Sequence, residues 1–451
     1  MEKFKFLRGD KTIWAMIALL AIASFLPVYS ASTNLVYTVS EGKASTLGFL
    51  VKHLAHISIG LLIVFIAHKF HYERYKKFSL LGMPLVILLL AYTLSQGKVI
   101  GGANASRWIE IPFIGFSFQT STFASTILMV YVARTLAKMH NTSYTFQESL
   151  LKLWFPVGAV LIFILPSNFS TAALIFAMVC MLVYVGQYPL KYLGYIFGLA
   201  LIGIFLFVLL YMAFPTNKYF SRVSTWKARV ERFSTDKPDE DDYQIEKAKI
   251  AIASGKIQGL GPGKSVQKNF LPQSSSDFIF AIIVEEYGMI GGYALVFIYM
   301  ILFFRFLVRS NKAPTLFGKL LIVGLGFPII FQAFINMGVA VELLPVTGQP
   351  LPLISSGGTS IWMTCLSLGI ILSVTKKEDE IAADLLEEKQ REEALQRLVE
   401  REVIIMNEEG VDVNQQKIEE MKYSIREELS KDEEDSLYNG QNPMNSVRNK
   451  E

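Results

Sequence analysis

One carboxylate, Asp277, stands at the seam between a polar stretch and a long apolar run in the sequence LPQSSSDFIFAIIVEE, residues 271–286. Acidic side chains at or inside a membrane are costly and usually functional, and a carboxylate there can act as a general base. The three serines before Asp277 also allow it to be the N-cap of a following helix, and both interpretations stay open. On an ideal helix Glu286 lies about 180° from Asp277, so it is not a partner carboxylate, and the sequence does not identify its own partner.

A glycine-rich stretch, GLGPGKS at 259–265, has the residue types of a phosphate-binding loop. Its spacing excludes the nucleotide-binding form, because only three residues separate Gly259 from Gly263 where that loop needs four. Glycines still let a backbone approach a ligand closely, and Lys264 and Lys268 can meet phosphate oxygens. A plain glycine turn is the competing interpretation.

A second irregular stretch, LLPVTGQPLPLISSGG at 343–358, contains three prolines and three glycines between two apolar runs. That composition excludes a regular helix. Irregular backbone at membrane depth is tolerated where it lines a cavity or is covered by protein. Because the stretch is apolar, we expect a re-entrant segment that shapes a cavity in preference to an exposed loop.

Two histidines, His53 and His56, lie three residues apart inside an apolar run, a spacing that can bind a metal. No acid accompanies them, so packing or a polar partner on another helix is the favoured interpretation. The two cysteines, Cys180 and Cys365, both lie within apolar runs and predict no disulfide framework.

The elements that must position these residues are membrane-spanning helices. The chain has 451 residues, of which 52% are hydrophobic and 18% charged, whereas soluble domains have about a quarter charged residues. We expect the first apolar run to be a retained span and not a cleaved signal peptide. Runs of sufficient length predict an all-α polytopic membrane protein with about ten transmembrane helices, near 12–31, 47–67, 78–95, 117–137, 153–167, 169–187, 192–213, 278–304, 318–340 and 359–375.

Basic residues in the short loops set the predicted orientation. They cluster in the loops that are cytoplasmic if the N-terminus is cytoplasmic, and an even number of spans then leaves both termini inside. This orientation puts a long extracytoplasmic loop, 214–277, between the seventh and eighth spans. It divides the chain into a membrane domain, 1–375, and a charged cytoplasmic tail, 376–451. The tail has helical spacing over 381–405 and a composition typical of disorder beyond.

At these residues the chain resembles the SEDS family of polytopic membrane glycosyltransferases, which includes FtsW, RodA and SpoVE. The stretch GLGPGKSVQKNFLPQ at 259–273 is more similar to the FtsW branch than to the RodA branch. The other matching pieces are SDFIFAIIVEEYG at 276–288, LLPVTGQPLPLISSGG at 343–358, FINMGVA at 334–340, NASRWIEI at 104–111 and YQIEKAKIAIASG at 243–255.

The resemblance implies a peptidoglycan glycosyltransferase of the bacterial cytoplasmic membrane that polymerises lipid II into glycan strands at the division septum. It implies a class B penicillin-binding protein transpeptidase and other divisome proteins as partners, and no nucleic acid. The family's essential acid falls on Asp277, which becomes the general base, with undecaprenyl pyrophosphate as the leaving group. A divalent cation, Mg²⁺ or Mn²⁺, is left open as a cofactor, and its ligands are not readable from the sequence. The implied substrate-binding residues are Arg107, Trp108, Tyr243, Gln244, Lys264, Gln267, Lys268, Thr347, Ser355, Ser356 and Gly357.

Several positions depart from the family pattern. Thr122 and Ser125 replace a Glu and a Lys, an Asp is lost or shifted to Asn168, and Ser356 replaces a Tyr. Before Asp277, a His-Thr pair is replaced by two serines. The loss of all three charges indicates that a buried charged cluster was neutralised as a whole, since losing one member alone would leave an unpaired charge. No role of Thr122, Ser125 or Asn168 is therefore carried over from the family.

Other functions fit part of the sequence. A lipid II flippase would also have many spans and a polar cavity, but it needs charge along a path through the bilayer, whereas the distinctive residues here gather on the predicted outer side. A scaffold that recruits division proteins would explain the charged tail but not Asp277 or the proline-rich stretch. Within the enzyme class, a RodA-like elongation polymerase is the alternative to a role in division.

Overall fold

Helices form over each of the predicted apolar runs in the computed structural model. Two compact units are present, Met1–Thr375 and Lys376–Glu451. In the second unit the described positions from 386 to 404 are helical, and Leu395 and Val399 are buried. The structure describes residues 7–38, 46–96, 99–100, 103–104, 108–110, 117–140, 142–213, 240–271 and 274–376, with scattered positions from 386 to 404.

The first unit is built almost entirely of α-helices. Two short antiparallel hairpins lie between the third and fourth helices: β1 (Val99–Ile100) pairs with β2 (Ala103–Asn104), and β3 (Trp108–Glu110) with β4 (Ser117–Gln119). The described helices are α1 (Lys11–Thr38), α2 (Thr46–Lys69), α3 (Tyr75–Gln96), α4 (Thr120–His140), α5 (Phe146–Ile164, with a π-helical part at Leu150–Trp154), α6 (Phe169–Val185), α7 (Leu190–Ala213), α8 (Glu240–Gly255), α9 (Ile279–Asn311), α10 (Leu316–Ala340) and α11 (Thr359–Val374).

The prediction of an all-α polytopic membrane protein is confirmed. Each helix except α8 coincides with a predicted run, and α8 lies within the predicted loop 214–277. Among the described residues, six helices are long and apolar enough to cross a membrane, namely α1, α2, α3, α5, α9 and α10. Shorter apolar helices occur in α6, α7 and α11. Residues 214–239 of the predicted loop lie outside the described residues.

Small residues allow the central helices to pack closely. A Cβ atom added at Gly60 of α2 would lie 2.8 Å from the Cys365 sulfur of α11, and one at Gly369 of α11 would lie 2.7 Å from the Cβ atom of Ala67. Close approach of this kind is typical of helix pairs within membranes, where packing and not the hydrophobic effect drives association. It brings α11, and the irregular segment before it, firmly against α2.

A buried ion cluster ties the start of α1 to the end of α9. Asp10 is fully buried. Its carboxylate accepts hydrogen bonds from the backbone N–H groups of Thr12 at 2.8 Å and Ile13 at 3.2 Å, which caps α1. The same carboxylate pairs with Arg305 Nε at 2.7 Å and with Arg309 Nε. Both arginines lie near the end of α9 that is opposite Asp277, so this cluster fixes the far end of the helix.

We expect Asp10→Asn to destabilise the protein by about 3 kcal/mol, because two partly buried arginines lose their counter-charge while the asparagine still caps α1. Burial raises the pKa of Asp10, but the hydrogen bonds and charges of Arg309 and Arg305 outweigh burial and hold the pKa below the ordinary value of 3.8. The stabilisation is therefore complete above pH 3.8 and is lost as the pH falls through the lowered pKa. Thermal unfolding of both proteins in detergent across this pH range measures the difference.

The matched control is Glu73→Gln, which removes a pair with Lys76 whose side chains are 35% and 38% exposed. It should cost less than about 0.5 kcal/mol. Equal losses for the two variants would show that the Asp10 cluster does not hold the helix ends.

Candidate active site

Asp277 lies in a turn of residues 274–278 that leads into α9. Its carboxylate is partly exposed and accepts a hydrogen bond from Ser276 Oγ at 2.6 Å. The N-cap position of α9 is Phe278, one residue further on, and no side chain caps the helix there. The interpretation of Asp277 as a helix cap therefore does not hold, and its position needs another explanation.

Four hydrogen bonds to carbonyl oxygens hold the main chain around Asp277. The carbonyl of residue 275 accepts from Ser356 N at 2.9 Å and from Ser356 Oγ at 3.0 Å. Those of residues 276 and 277 accept from Ser355 Oγ at 2.6 Å and Asn336 Nδ2 at 2.7 Å. Ser355 and Asn336 are each only 1% exposed. Buried donors of this kind fix a neighbouring functional side chain in one direction. Ser355 and Ser356 were expected to bind substrate, but here the Ser355 hydroxyl and the Ser356 N–H group hold the Asp277 turn.

The irregular segment 341–358 joins α10 to α11 without helical structure. Its residues 351–355 are buried, so this part is covered by protein, as expected, and is not an exposed loop. Side chains of the neighbouring helices satisfy its carbonyl groups: Tyr299 OH donates to Pro352 O at 2.5 Å, and Gln332 Nε2 donates to Pro350 O at 2.7 Å. Non-helical backbone is tolerated at membrane depth when such donors are present.

Gly348 brings this segment to the carboxylate. Its φ is +64°, in the left-handed region that favours glycine. A Cβ atom built on Gly348 would lie 3.5 Å from Asp277 Oδ2, in ordinary van der Waals contact. The preceding residue, Thr347, is partly exposed. The main chain at 347–348 therefore forms a wall of the site beside Asp277.

On the other side of the site, α9 is broken at Gly288, where φ is 69° and ψ is −172°. The loop of residues 255–261 crosses the helix at this break. Four backbone hydrogen bonds of 2.9 to 3.4 Å join the two: residues 260 and 261 donate to the carbonyls of 285 and 286, and residues 289 and 290 donate to the carbonyls of 256 and 257. These bonds take the place of those that a helix loses where it is interrupted.

The crossing depends on three glycines. A Cβ atom added at Gly255, Gly259 or Gly288 would lie 2.0, 2.2 or 2.1 Å from a carbonyl oxygen of the opposite segment. No side chain larger than hydrogen fits at such distances, so backbone meets backbone directly. The glycine-rich stretch, read from sequence as a loop that approaches a ligand, here approaches the chain's own helix.

Two lysines lie just after the crossing loop, in residues 262–268, and they have different surroundings. Lys264 is exposed, and its ammonium group makes no hydrogen bond or ion pair with the described residues. Lys268 Nζ donates to Ser30 Oγ of α1 at 3.1 Å and to Gly263 O at 2.8 Å. Of the two cations expected to meet phosphate, Lys264 is therefore the one turned toward solvent, and Lys268 is engaged within the protein.

Comparison with known proteins shows the family of this chain. The sequence model of the FtsW, RodA and SpoVE family of cell cycle proteins matches residues 10–380. The chain belongs to this family. A relative named as a probable peptidoglycan glycosyltransferase FtsW, from Saccharophagus degradans, is 30% identical over 378 residues, which cover 82% of this chain and 93% of the relative. Stage V sporulation protein E of Bacillus subtilis is 28% identical over 372 residues, covering 81% of this chain and 97% of the relative.

The fold of the FtsW/RodA/SpoVE family is also recognisable in solved structures. A chain of a peptidoglycan synthase complex superposes with a TM-score of 0.62 at 24% identity, over 81% of this chain and 97% of that one. The rod shape determining protein RodA of Thermus thermophilus superposes with a TM-score of 0.56 at 22% identity, over 81% and 96% of the two chains. At these identities the likeness concerns the fold alone.

The positions that depart from the family pattern are not all together. Thr122 and Ser125 line one crevice between α4, α10 and α11, whose other polar lining residues are Thr126, Gln332, Ser360, Thr364 and Ser367. Asn168 lies elsewhere, as the N-cap of α6, where its Oδ1 accepts from Thr171 N at 3.2 Å. Thr122 and Ser125 of α4 share an uncharged crevice, which fits the prediction that a charged cluster was neutralised there. Asn168 is not part of this crevice lining and instead caps α6.

The remaining substrate-binding predictions lie in α8, in the loop after it, in strand β3 and in the turn before α11. Tyr243 and Gln244 lie near the start of α8; Tyr243 is 44% exposed, with Lys247 Nζ 5.0 Å from the centroid of its ring. Gln267 lies in the loop after α8, and Gly357 in the turn before α11. Arg107 lies outside the described residues, and Trp108 is described only as part of strand β3.

Sequence reasoning missed Asn336, which holds both sides of the site. Its Nδ2 donates to the carbonyls of Asp277 at 2.7 Å and Gln349 at 2.8 Å. Gln349 Nε2 in turn donates to Thr171 Oγ1 at 2.7 Å. A buried asparagine in the middle of the apolar run FINMGVA was the available signal, since a buried polar group needs a hydrogen-bond partner.

The histidine pair has the polar partner on another helix that was favoured: His53 Nε2 lies 2.9 Å from Ser24 Oγ of α1. Within the described part of the chain, no three His, Cys, Asp or Glu side chains converge as a metal site would require. Metal ions such as Mg²⁺ bind through several carboxylate and other oxygen ligands, so no residue is assigned to a metal here.

We expect Gly259→Ala to lower the free energy of unfolding by about 3 kcal/mol or more, because the added Cβ atom would lie 2.2 Å from Glu286 O. The φ of Gly259 is also +80°, in the left-handed region that favours glycine. The matched variant Gly263→Ala has a φ of +77° but open space around it, so it should cost only the backbone strain of about 1–2 kcal/mol. Thermal unfolding of the two purified variants separates the cost of the steric clash at residue 259 from the cost of backbone strain alone at residue 263. Equal destabilisation would contradict the close crossing at Gly288.

Proposed function

We propose that this protein is a membrane-embedded peptidoglycan glycosyltransferase that polymerises lipid II, with Asp277 as the general base. The observation that carries the proposal is a partly exposed carboxylate that caps no helix and whose neighbouring main chain is held by Ser355, Ser356 and Asn336. Such rigid positioning of one acid is what proton transfer requires. The names of its FtsW relatives point to the same reaction.

The proposed reaction joins two lipid-linked sugars. Asp277 takes the proton of the 4-hydroxyl group of the acceptor sugar as its oxygen attacks the anomeric carbon of the donor. The bond between that carbon and the phosphate oxygen breaks, and undecaprenyl pyrophosphate leaves with the bonding electrons. The proton on Asp277 then passes to solvent, which restores the carboxylate. The hydrogen bond from Ser276 Oγ at 2.6 Å orients the carboxylate during these steps.

The leaving pyrophosphate needs positive charge near the predicted membrane surface. Lys264, on the exposed part of the loop, supplies an uncommitted ammonium group, and Arg107 is the second cation we assign to this role from the resemblance. Electrostatic stabilisation of a developing anion is often the largest single catalytic contribution. The exposed apolar side chains of the spans suit the polyprenyl tails of both substrates.

The proposed setting is the septum of a dividing cell, in the bacterial cytoplasmic membrane with both termini in the cytoplasm. The class B penicillin-binding protein transpeptidase would crosslink the strands that this protein makes, alongside other divisome proteins. Support for division over elongation comes from the FtsW-like stretch at 259–273 and from relatives named FtsW at 28–30% identity.

We expect Asp277→Asn to reduce glycan polymerisation by at least about 100-fold, because the amide cannot accept the hydroxyl proton. The purified variant, with its transpeptidase partner, is given lipid II, and strand length is read by gel electrophoresis. Thermal stability and co-purification of the partner should be unchanged, since Asn336 holds the Asp277 turn through the main-chain carbonyl group, which the substitution retains.

The control is Glu342→Gln, which alters an exposed carboxylate paired with Lys249 at 2.6 Å and should polymerise normally. Polymerisation at the normal rate by Asp277→Asn would overturn the assigned role. If the unaltered protein moved lipid II across the membrane of vesicles but made no polymer, that result would favour the flippase.

A further inference from the structure

Two buried carboxylates near the active site have no part in the reaction proposed above. Glu285 and Glu286 are each 1% exposed and lie next to each other, just before the break of α9 at Gly288. Burying a carboxylate is expensive unless it is hydrogen-bonded or paired with a cation. Adjacent buried acids therefore need a reason, and their contacts supply one.

Glu285 binds the loop that follows the crossing. Its Oε1 accepts from the backbone N–H groups of Val266 at 3.0 Å and Gln267 at 3.2 Å. Its Oε2 accepts from Ser265 Oγ and, at 3.3 Å, from Gln267 N. A carboxylate that receives several backbone N–H groups makes hydrogen bonds stronger than neutral ones. This one side chain thus holds three consecutive loop residues.

Glu286 connects the same loop to α1. Its Oε1 accepts from Ser30 Oγ of α1 and from Ser265 N at 3.3 Å. Lys268 Nζ donates to that same Ser30 Oγ at 3.1 Å. Because the Ser30 hydroxyl accepts from the ammonium group and donates to the carboxylate, Lys268 balances the charge of Glu286 through one intervening hydroxyl.

The two glutamates also belong to the helical piece that begins beside Asp277. Residues 279–287 form nine helical residues between the Asp277 turn and the break, a length of about 13 Å. The loop is fastened to the far end of this piece by the glutamates and by the backbone bonds at Gly288. Release of the loop from these contacts would therefore displace it relative to Asp277.

We propose that Glu285, Glu286 and Lys268 are positioning residues that hold the loop of residues 259–268, and with it Lys264, in register with Asp277. Lys268 is then the counter-ion of Glu286 and not a ligand of the substrate phosphates. The inference rests on the proposed function for its kinetic consequence, whereas the docking of the loop is independent of any activity.

The first experiment measures docking directly. Hydrogen exchange, followed by mass spectrometry on the full-length protein in detergent, reports on the amides of residues 265–267. Glu285→Leu removes every acceptor and should accelerate their exchange at least tenfold, whereas Glu285→Gln keeps one oxygen and should be intermediate. Glu342→Gln, at an exposed site, should leave exchange unchanged. Unchanged exchange in both Glu285 variants would overturn the proposal, and Glu285→Gln alone decides if Glu285→Leu does not fold.

The second experiment distinguishes positioning from simple loss of folded protein. A loss of folded enzyme lowers the apparent kcat and leaves KM unchanged, whereas a displaced loop raises KM for lipid II. We expect an increase in KM of about tenfold for Glu285→Leu, a smaller increase for Glu285→Gln, and none for Glu342→Gln. An unchanged KM in the Glu285 variants with accelerated exchange would refute the link between the loop and substrate. Absence of polymerisation by the unaltered protein would refute the proposed function, while the exchange data would still decide the docking.

A double substitution tests Lys268. Lys268→Met should raise KM because the charge of Glu286 is left unbalanced, and adding Glu286→Gln should restore KM to within about threefold of the original value, since the charge is then gone. If Lys268 binds the substrate phosphates instead, the double variant stays as impaired as Lys268→Met. That outcome would overturn the role of Lys268 as a counter-ion.

Discussion

Main-chain hydrogen bonding of the irregular segments governs this structure. A backbone N–H or C=O group that is buried away from water needs a hydrogen-bond partner within the protein. The helices meet that requirement internally, but the Asp277 turn, the segment 341–358 and the loop 255–261 do not. They meet it by bonding to one another and to buried side chains of α9 and α10. The irregular pieces are consequently interdependent, and the site forms where they meet.

The three acids of the stretch SDFIFAIIVEE share a short sequence but have different tasks. Asp277 is partly exposed and its carboxylate meets a serine hydroxyl, an environment suited to accepting a proton. Glu285 and Glu286 are buried, and each accepts hydrogen bonds from the loop, an environment suited to holding structure. Burial and hydrogen bonding, and not the type of residue, separate the proposed general base from the two buried acids.

Much of this architecture is predictable from the sequence, because apolar length is a local property and the irregular segments are marked by proline and glycine. The positions of the helices and the covered segment around Leu351–Ser355 follow from it. What was not predictable depends on contacts between distant residues. The partner of Glu286 is Ser30, 256 positions away, and the commitment of Lys268 to that same hydroxyl is equally remote. Whether Asp277 caps α9 depends on a shift of one residue, which composition cannot resolve.

The crossing at Gly288 is made by main-chain atoms and glycines, and its side-chain anchors point inward to Glu285 and Glu286. Pro262, Lys264 and Val266 point outward and are exposed. Exchanging those outward side chains removes none of the main-chain hydrogen bonds between the loop and α9. We therefore expect related chains to differ at these outward positions while they keep the same crossing of loop and helix.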